Sequence, residues 1–236
     1  MQNQKKILVF TATFNESENI NELINSIISQ PTKLDLLIID DNSPDGTSEI
    51  IENNKKKFTN IYLIKREGKL GLDTAHKEAY EYALKKNYDF LITMDADFSH
   101  NPAEIMNFIN YLDNYSFVIG SRYMEGGKCF MKGRRLVLSK YGNLFMKFFL
   151  NIDCSEFTTS YRGFNLKKLN NFHLNQVHSN GYSFFMGTIY EIFKRKFSTK
   201  EIPIIFKDRT KGHSKIPKIE IIRTLFNLLK LKFKSS

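Results

Sequence analysis

The sequence predicts an α/β protein built on a mostly parallel sheet with helices on both faces. Two observations support this. Apolar runs of strand length alternate with amphipathic stretches through the first half of the chain, and the runs end in acidic or turn residues. No internal repeat or low-complexity linker breaks the pattern. The second half is therefore expected to build over the strand ends of one continuous domain, where ligands of such sheets bind.

The elements follow in order. Ile7–Thr11 is a short apolar run, followed by Asn15-Glu-Ser-Glu and then Ile20, Leu23, Ile24, Ile27 and Ile28 at helical spacing. Leu34–Ile39 is continuously apolar and ends in Asp40-Asp41, as a buried parallel strand does. Ser43-Pro-Asp-Gly is a turn that also opens a helix over roughly 45–57. Ile61–Ile64 reads as the third strand, Asp73–Lys86 as a helix, and Phe90–Met94 as the fourth strand, ending at Asp95. A helix begins near Pro102, and Phe117–Gly120 closes the series as a strand.

With 236 residues the chain suits one domain with a substantial core. Its 42% hydrophobic and 25% charged residues are ordinary for a globular protein, but a net charge of +10 is not. Such a surplus favours phosphate-rich partners (nucleotides, nucleic acid or an anionic membrane), the alternative being a general Lys bias. Two cysteines without CxxC spacing, Cys129 and Cys154, argue against a disulfide framework or zinc site and fit a reducing, cytoplasmic compartment. The N-terminus carries no signal-peptide h-region. The cluster Leu144–Leu150 falls far short of the roughly 20 residues that span a bilayer, so any membrane contact is expected to be peripheral.

Thr93-Met-Asp95-Ala-Asp97-Phe-Ser-His100-Asn-Pro102 is the most informative segment. Two carboxylates at i and i+2, just past a buried strand, suit Mg²⁺ or Mn²⁺ bound together with water and a diphosphate. A bare Asp-x-Asp also arises by chance; its place after a hydrophobic strand favours function. Asp40-Asp41-Asn-Ser43-Pro-Asp45-Gly46 is a second acidic strand end. Helix capping accounts for Ser43 or Asp45 but not for the two acids before them, which suit a base N–H and ribose hydroxyls. Lys65-Arg66-Glu-Gly68-Lys69-Leu-Gly71 reads equally as a phosphate-binding loop or a solvated turn. Arg135 and Ser139, at i and i+4, share a face that suits one phosphate, although a plain solvated face is the commoner explanation. After an expected strand over Ile202–Phe206 come Arg209, Lys211, Gly212, His213 and Lys215, either a disordered basic loop or an anion-binding nest.

Taken together these segments resemble family 2 glycosyltransferases, in particular the dolichyl- or polyprenyl-phosphate mannosyltransferase branch. The matching pieces are Thr13-Phe-Asn-Glu16, Asp40-Asp-Asn-Ser-Pro-Asp-Gly, Lys69-Leu-Gly-Leu, Met94-Asp-Ala-Asp-Phe-Ser-His-Asn-Pro102, Gly120-Ser-Arg-Tyr123, Gly181-Tyr-Ser-Phe and Asp208-Arg-Thr-Lys-Gly-His-Ser-Lys215. The resemblance implies a GT-A fold, inversion at the sugar and a divalent metal, with Asp95 and Asp97 serving ribose, metal and diphosphate and Asp95 belonging also to the nucleotide-sugar site. It implies that Glu16, Asp40 and Asp41 bind the nucleoside, with Thr13, Ser43, Arg66 and Lys69 completing the nucleotide-sugar site. It places Arg135, Ser139, Arg209 and Lys215 around the sugar and acceptor phosphate, and gives Asp97, Arg135 and Arg209 catalytic roles. Several positions depart from the family pattern. Ala12 replaces Pro and Phe14 replaces Tyr; Asp73 stands where Gly usually follows Leu-Gly-Leu; Gly187 stands where the family has Glu; and Ser160-Tyr-Arg162-Gly replaces Ser-Gly-Phe-Arg. These changes leave the transferase class standing and bear on the identity of the sugar.

The expected reaction moves a hexose from a GDP- or UDP-linked donor to a polyprenyl or dolichyl phosphate. A phosphate acceptor is already ionised near pH 7 and needs no strong general base. Alternatives are transfer to a hydroxyl acceptor and, further off, nucleotidyl transfer, for which the chain lacks a basic Gly-rich loop after its first strand. A nucleic-acid-binding module would explain the charge but not three acidic strand ends, so nucleic acid is not an expected partner. Residues 1–216 are read as the catalytic domain and 217–236 as a basic amphipathic helix opened by Pro217, its apolar side facing either the core or the inner face of a membrane.

Overall fold

The computed structural model describes residues 4–208 and 219–233, the first four residues of the last helix as backbone only. Arg209, Lys215 and Pro217 lie outside the described residues. β1 (Ile7–Thr13), α1 (Ile20–Ile28), β2 (Asp35–Asp40), α2 (Thr47–Lys55), β3 (Ile61–Lys65), α3 (Leu72–Lys85), β4 (Phe90–Asp95), α4 (Ile105–Leu112) and β5 (Phe117–Ser121) alternate as the sequence pattern predicts. The second half adds β6 (Lys128–Cys129), α5 (Gly133–Leu150), β7 (Arg162–Asn165), α6 (Ser183–Lys194), β8 (Thr199–Pro203), β9 (Ile205–Phe206) and α7 (Ile219–Phe233).

The seven-stranded sheet runs β3-β2-β1-β4-β7-β5-β8. Its pairs are parallel except at β7, which lies antiparallel between β4 and β5. The single strand expected over Ile202–Phe206 is two: β8 on the sheet edge and β9, paired with β6, interrupted at Ile204.

Both sheet faces are buried, which explains the unbroken apolar runs. One core joins the sheet to α1 and α4 through Ile20, Leu23, Ile105 and Phe108. The other joins it to α3, α5, α6 and α7 through residues such as Ala75, Met146, Phe184 and Leu228. Within this core the His76 ring packs edge-on against Phe10 and Phe185 at centroid distances of 5.1 and 5.0 Å. Burial, helped by the charge of Arg162, pushes its pKa down to about 3, so it is neutral near pH 7.

α5 and α7 are less embedded. Eighteen residues long, α5 buries Asn143, Met146 and Leu150. α7 packs on α6 and α5, burying Leu228 and donating from Asn227 Nδ2 to Ser183 Oγ at 2.6 Å. Its Leu225, Phe226, Leu229 and Phe233 remain exposed, so core packing and an open apolar surface occupy different sides of one helix.

Candidate active site

Three strand ends converge at one edge of the sheet. Asp40 is fully buried, and its carboxylate accepts four hydrogen bonds: from Thr13 Oγ1 (2.7 Å), Ser43 Oγ (2.6 Å), Ser43 N (2.9 Å) and Ser48 Oγ (2.9 Å). These occupy its lone-pair positions. With Thr13, Ser43 and Ser48 as partners, Asp40 braces β1, β2 and the loop into α2. Asp41 instead meets Arg66, whose Nε and Nη2 both reach its Oδ1. Burial pushes the Asp41 carboxyl up, against the charge and hydrogen bond of Arg66. Arg66 also donates to Thr74 Oγ1 (2.6 Å) and Gly71 O (3.1 Å), fastening the β3–α3 loop. Gly71, with φ +101°, turns that loop into α3 in a conformation other residues rarely adopt. Lys69 Nζ lies 4.6 Å from the Phe14 ring centroid, and Glu16 Oε2 accepts from Asn19 at 2.9 Å.

Asp95 ends β4, and Asp97 follows it, 6% exposed. Asp97 Oδ1 accepts from Ser99 N (3.1 Å) and Oγ (2.6 Å), and Phe98 between them has φ +59°, a costly value for a bulky residue. The Asp95 amide donates to His100 Nδ1 at 3.1 Å, so the ring proton sits on Nε2, 3.3 Å from Thr159 Oγ1. Burial lowers the His100 pKa, partly opposed by Asp95 and Asp97, so the 3.8 Å approach to Asp95 Oδ2 joins a neutral ring to an anion. Ser160 Oγ donates to Asp95 Oδ1 at 2.5 Å. Two hard carboxylates on a braced turn suit Mg²⁺ or Mn²⁺ chemistry. Among the described residues no three His, Cys, Asp or Glu side chains gather, so further ligands would come from a diphosphate and water.

The segment before β7 forms the opposite wall. Arg162 is fully buried and donates to three carbonyls, those of Thr159 (2.8 Å), Phe157 (3.1 Å) and Phe185 (2.8 Å), fixing residues 157–160 against α6. Arg122, just past β5, makes a bidentate pair with fully buried Glu156 at 2.6 and 2.8 Å. Its neighbour Tyr123 donates to Ser139 Oγ at 2.7 Å. Arg135 pairs at 3.3 Å with Asp208, both substantially exposed.

Of the expected site residues, the structure therefore groups Asp41, Arg66, Lys69 and Glu16 near the first strand ends, and Asp95 with Asp97 at β4. Ser139 and Arg135 lie on α5; Arg209 and Lys215 are outside the described residues. Sequence reasoning assigned no role to Arg122, Glu156, His100, Ser160 or Arg162. Gly120-Ser-Arg-Tyr123, the stretch after Asp97 and Ser160-Tyr-Arg162-Gly flagged four of these; Glu156 had no signal, because its partner is 34 residues away. Gly187 also has a reason. A Cβ there would lie 2.6 Å from Ser179 Oγ and 3.0 Å from Val177 Cγ1, so residues 177–179 close onto bare helix. Glu191, one turn on, pairs with Arg195 and lines a cavity of about 220 Å³ with Lys194 and Lys230.

A mostly parallel sheet flanked by helices, with an Asp-x-Asp at the end of β4, defines the GT-A class of fold. The chain belongs to glycosyl transferase family 2, whose family model matches residues 8–172. It is 31% identical over 227 residues to a polyprenol monophosphomannose synthase of Mycolicibacterium smegmatis, covering 95% of this chain and 86% of that one. It is 28% identical over 212 residues to an undecaprenyl-phosphate mannosyltransferase of Micrococcus luteus, covering 89% and 87%. Among solved structures, glucosyl-3-phosphoglycerate synthase from Mycobacterium tuberculosis in complex with Mn²⁺, UDP and phosphoglyceric acid superposes with a TM-score of 0.68 at 15% identity, covering 98% of this chain and 78% of that one. That likeness shows the fold.

Proposed function

We propose that this glycosyltransferase moves a hexose, mannose or glucose, from a GDP- or UDP-linked donor to a polyprenyl or dolichyl phosphate, with inversion. The names of the two curated relatives support a lipid-phosphate acceptor. The structural observation that carries the reading is the charge pattern of the acceptor side. Arg135 and Ser139 stand on one helix beside Arg122, while the nearby carboxylates of Glu156 and Asp208 are held in ion pairs. With its carboxylates engaged by arginines, such a wall offers no ready general base, which a phosphate acceptor does not need. An acceptor oxygen attacks the anomeric carbon as the bond to the nucleoside diphosphate breaks on the opposite face. Asp95 and Asp97 would hold Mg²⁺ or Mn²⁺, which when bound supplies charge neutralisation at the leaving diphosphate. Asp41, Arg66, Lys69 and Glu16 hold the nucleotide; Arg135, Ser139, Arg209 and Lys215 hold the acceptor phosphate. Incubation with labelled donors and a short-chain polyprenyl phosphate should release nucleoside diphosphate and a phosphate-linked sugar. Pyrophosphate as product would mean nucleotidyl transfer, and a product formed only with hydroxyl acceptors would displace the lipid phosphate.

The same reading includes peripheral contact with the inner, cytoplasmic face of a membrane. No helix among the described residues is long and apolar enough to cross one. α5 exposes Val137, Leu138, Tyr141, Leu144, Phe145 and Phe148, and α7 packs beside it with its own exposed side chains. Lys140, Lys147, Lys230 and Lys232 lie along the same helices. Apolar side chains interleaved with cations suit an anionic interface, each cation adding about 1 kcal/mol. Because α7 also buries Leu228, substitution is a cleaner test than truncation. Phe148→Ser should weaken co-sedimentation with anionic vesicles about tenfold, in line with roughly 1.5–3 kcal/mol for a buried Phe, while short-chain transfer continues. Equal partition of the wild type onto neutral and anionic vesicles would remove the electrostatic part.

A further inference from the structure

A serine hydroxyl serves a phosphate by giving its proton, because the anion offers only acceptors. In a helix that proton commonly goes to a carbonyl one turn back. Ser139, one turn after Arg135 on α5, is arranged otherwise. Its Oγ accepts a hydrogen bond of 2.7 Å from the Tyr123 hydroxyl. Among the described residues that is the one hydrogen bond its hydroxyl makes, and it occupies a lone pair rather than the proton.

The tyrosine is a fixed donor. It lies just past β5, its amide donates to Ser121 Oγ at 3.3 Å, and the Arg122 guanidinium stands 5.0 Å from its ring centroid. Arg122 is itself held by fully buried Glu156 and lies 5.0 Å from the Phe206 ring centroid. Burial pushes the Tyr123 phenol up to about 12, against the charge of Arg122, so near pH 7 it keeps the proton it donates.

α5 requires a hold at this point. The residues it buries, Asn143, Met146 and Leu150, all lie in its second half. Asn143 pins that half: its Oδ1 accepts from the Phe157 amide at 2.6 Å, and its Nδ2 donates to Ser139 O at 2.8 Å. The first half carries Arg135, Val137 and Leu138, all exposed. The Tyr123 hydroxyl ties that half to the end of β5, next to the Arg122–Glu156 pair, while Arg135 pairs with exposed Asp208. We infer that Tyr123 is a positioning residue for the acceptor. By filling a lone pair of Ser139 it leaves the serine proton for an anionic phosphate, and by tethering the first half of α5 it keeps Arg135 beside that proton. The inference rests on the lipid-phosphate reading above, and the tyrosine acts through Ser139 rather than on the substrate.

The test measures Tyr123→Phe, Ser139→Ala, Ser139→Thr and the combination of Tyr123→Phe with each, using a labelled donor and a short-chain polyprenyl phosphate. Tyr123→Phe keeps the ring against Arg122 and removes only the hydroxyl. It should raise the acceptor KM about three- to tenfold, the scale of one hydrogen bond. The donor KM, the affinity for GDP or UDP and the melting temperature should stay near those of the wild type. Added to Ser139→Ala it should have no further effect; added to Ser139→Thr, which keeps a hydroxyl, it should have its full effect. Losses that multiply on Ser139→Ala would show that the tyrosine acts apart from the serine and overturn the assignment. So would a raised donor KM, or an unchanged acceptor KM in an enzyme that still glycosylates lipid phosphate. A Tyr123→Phe protein that melts well below the wild type, with both KM values shifted together, would make the hydroxyl a fold contact and overturn it as well. A wild type that glycosylates no lipid phosphate removes the lipid-phosphate reading itself, a failure seen before any variant is made.

Discussion

Replacing Asp97 by alanine is expected to lower turnover by at least about 10²- to 10³-fold. The residue lies at the metal-suited edge, and what it holds is electrostatic. Its Oδ1 also braces the turn through Ser99, where Phe98 is kept at positive φ. Alanine therefore removes a charge and a brace together. Asp97→Asn separates them, because the amide oxygen still accepts from the Ser99 amide while the charge is gone. The expected outcome is that both variants are inactive, that Asp97→Asn melts near the wild type, and that excess chelator silences the wild type until Mn²⁺ or Mg²⁺ returns. Full activity in chelator would show that the carboxylates act without a metal.

The largest stability effect is expected at Glu156. Its carboxylate is fully buried, binds Arg122 through two hydrogen bonds, and accepts from Thr158 N (3.0 Å), Thr158 Oγ1 (2.9 Å) and Thr159 N (3.2 Å). Glu156→Ala strands the Arg122 guanidinium in a desolvated site, which costs roughly 3–5 kcal/mol. For a chain of this size that is a fall in melting temperature on the order of 10 °C. Burial alone would raise the Glu156 pKa; the charge of Arg122 and the hydrogen bonds outweigh it and hold the group below its ordinary 4.5. A depressed folded-state pKa means that this stabilisation is present above the unfolded value and is lost as pH falls through the folded one. His76 adds to acid lability from higher pH. It stays neutral in the fold down to about 3 while the unfolded chain protonates near 6.5, so stability declines across that interval. Unfolding curves between pH 7 and 3 should show the Glu156→Ala deficit shrinking at the acid end. A loss below about 1 kcal/mol at pH 7 would mean that the pair is dispensable.

The alternating half of the fold was legible because both sheet faces are buried. Leu34–Ile39 and Phe90–Met94 could be read directly as strands, and Asp95 with Asp97 at a strand end followed from the same pattern. β7 was not legible: Arg162-Gly-Phe-Asn is four residues long, carries a charge and a glycine, and earns its place by lying between β4 and β5. Asp40 illustrates the limit for the site. Two adjacent acids look alike in sequence, yet the first is saturated by hydroxyls and the second faces an arginine, a distinction created by Thr13 and Ser48 arriving from other elements. Glu156 was invisible for the same reason, since its meaning depends on Arg122. On α5 the cluster Leu144–Leu150 was visible in sequence, but not that Leu144, Phe145 and Phe148 stay exposed beside Val137, Leu138 and Tyr141, which depends on how the helix packs.

The antiparallel strand has a consequence for biogenesis. Because β7 sits between β4 and β5, a nascent chain that has emerged only through Ser121 holds every early strand but cannot close its sheet. β4 and β5 each wait with an open edge for a segment some forty residues downstream, and open edges are where unfinished sheets pair with the wrong neighbour. The wall opposite the Asp-x-Asp and the cure for those edges arrive in one stretch of polypeptide, residues 156–165. Ribosome-bound fragments ending before Arg162 should therefore lean on chaperones, and release from them should coincide with the moment at which the site first takes shape.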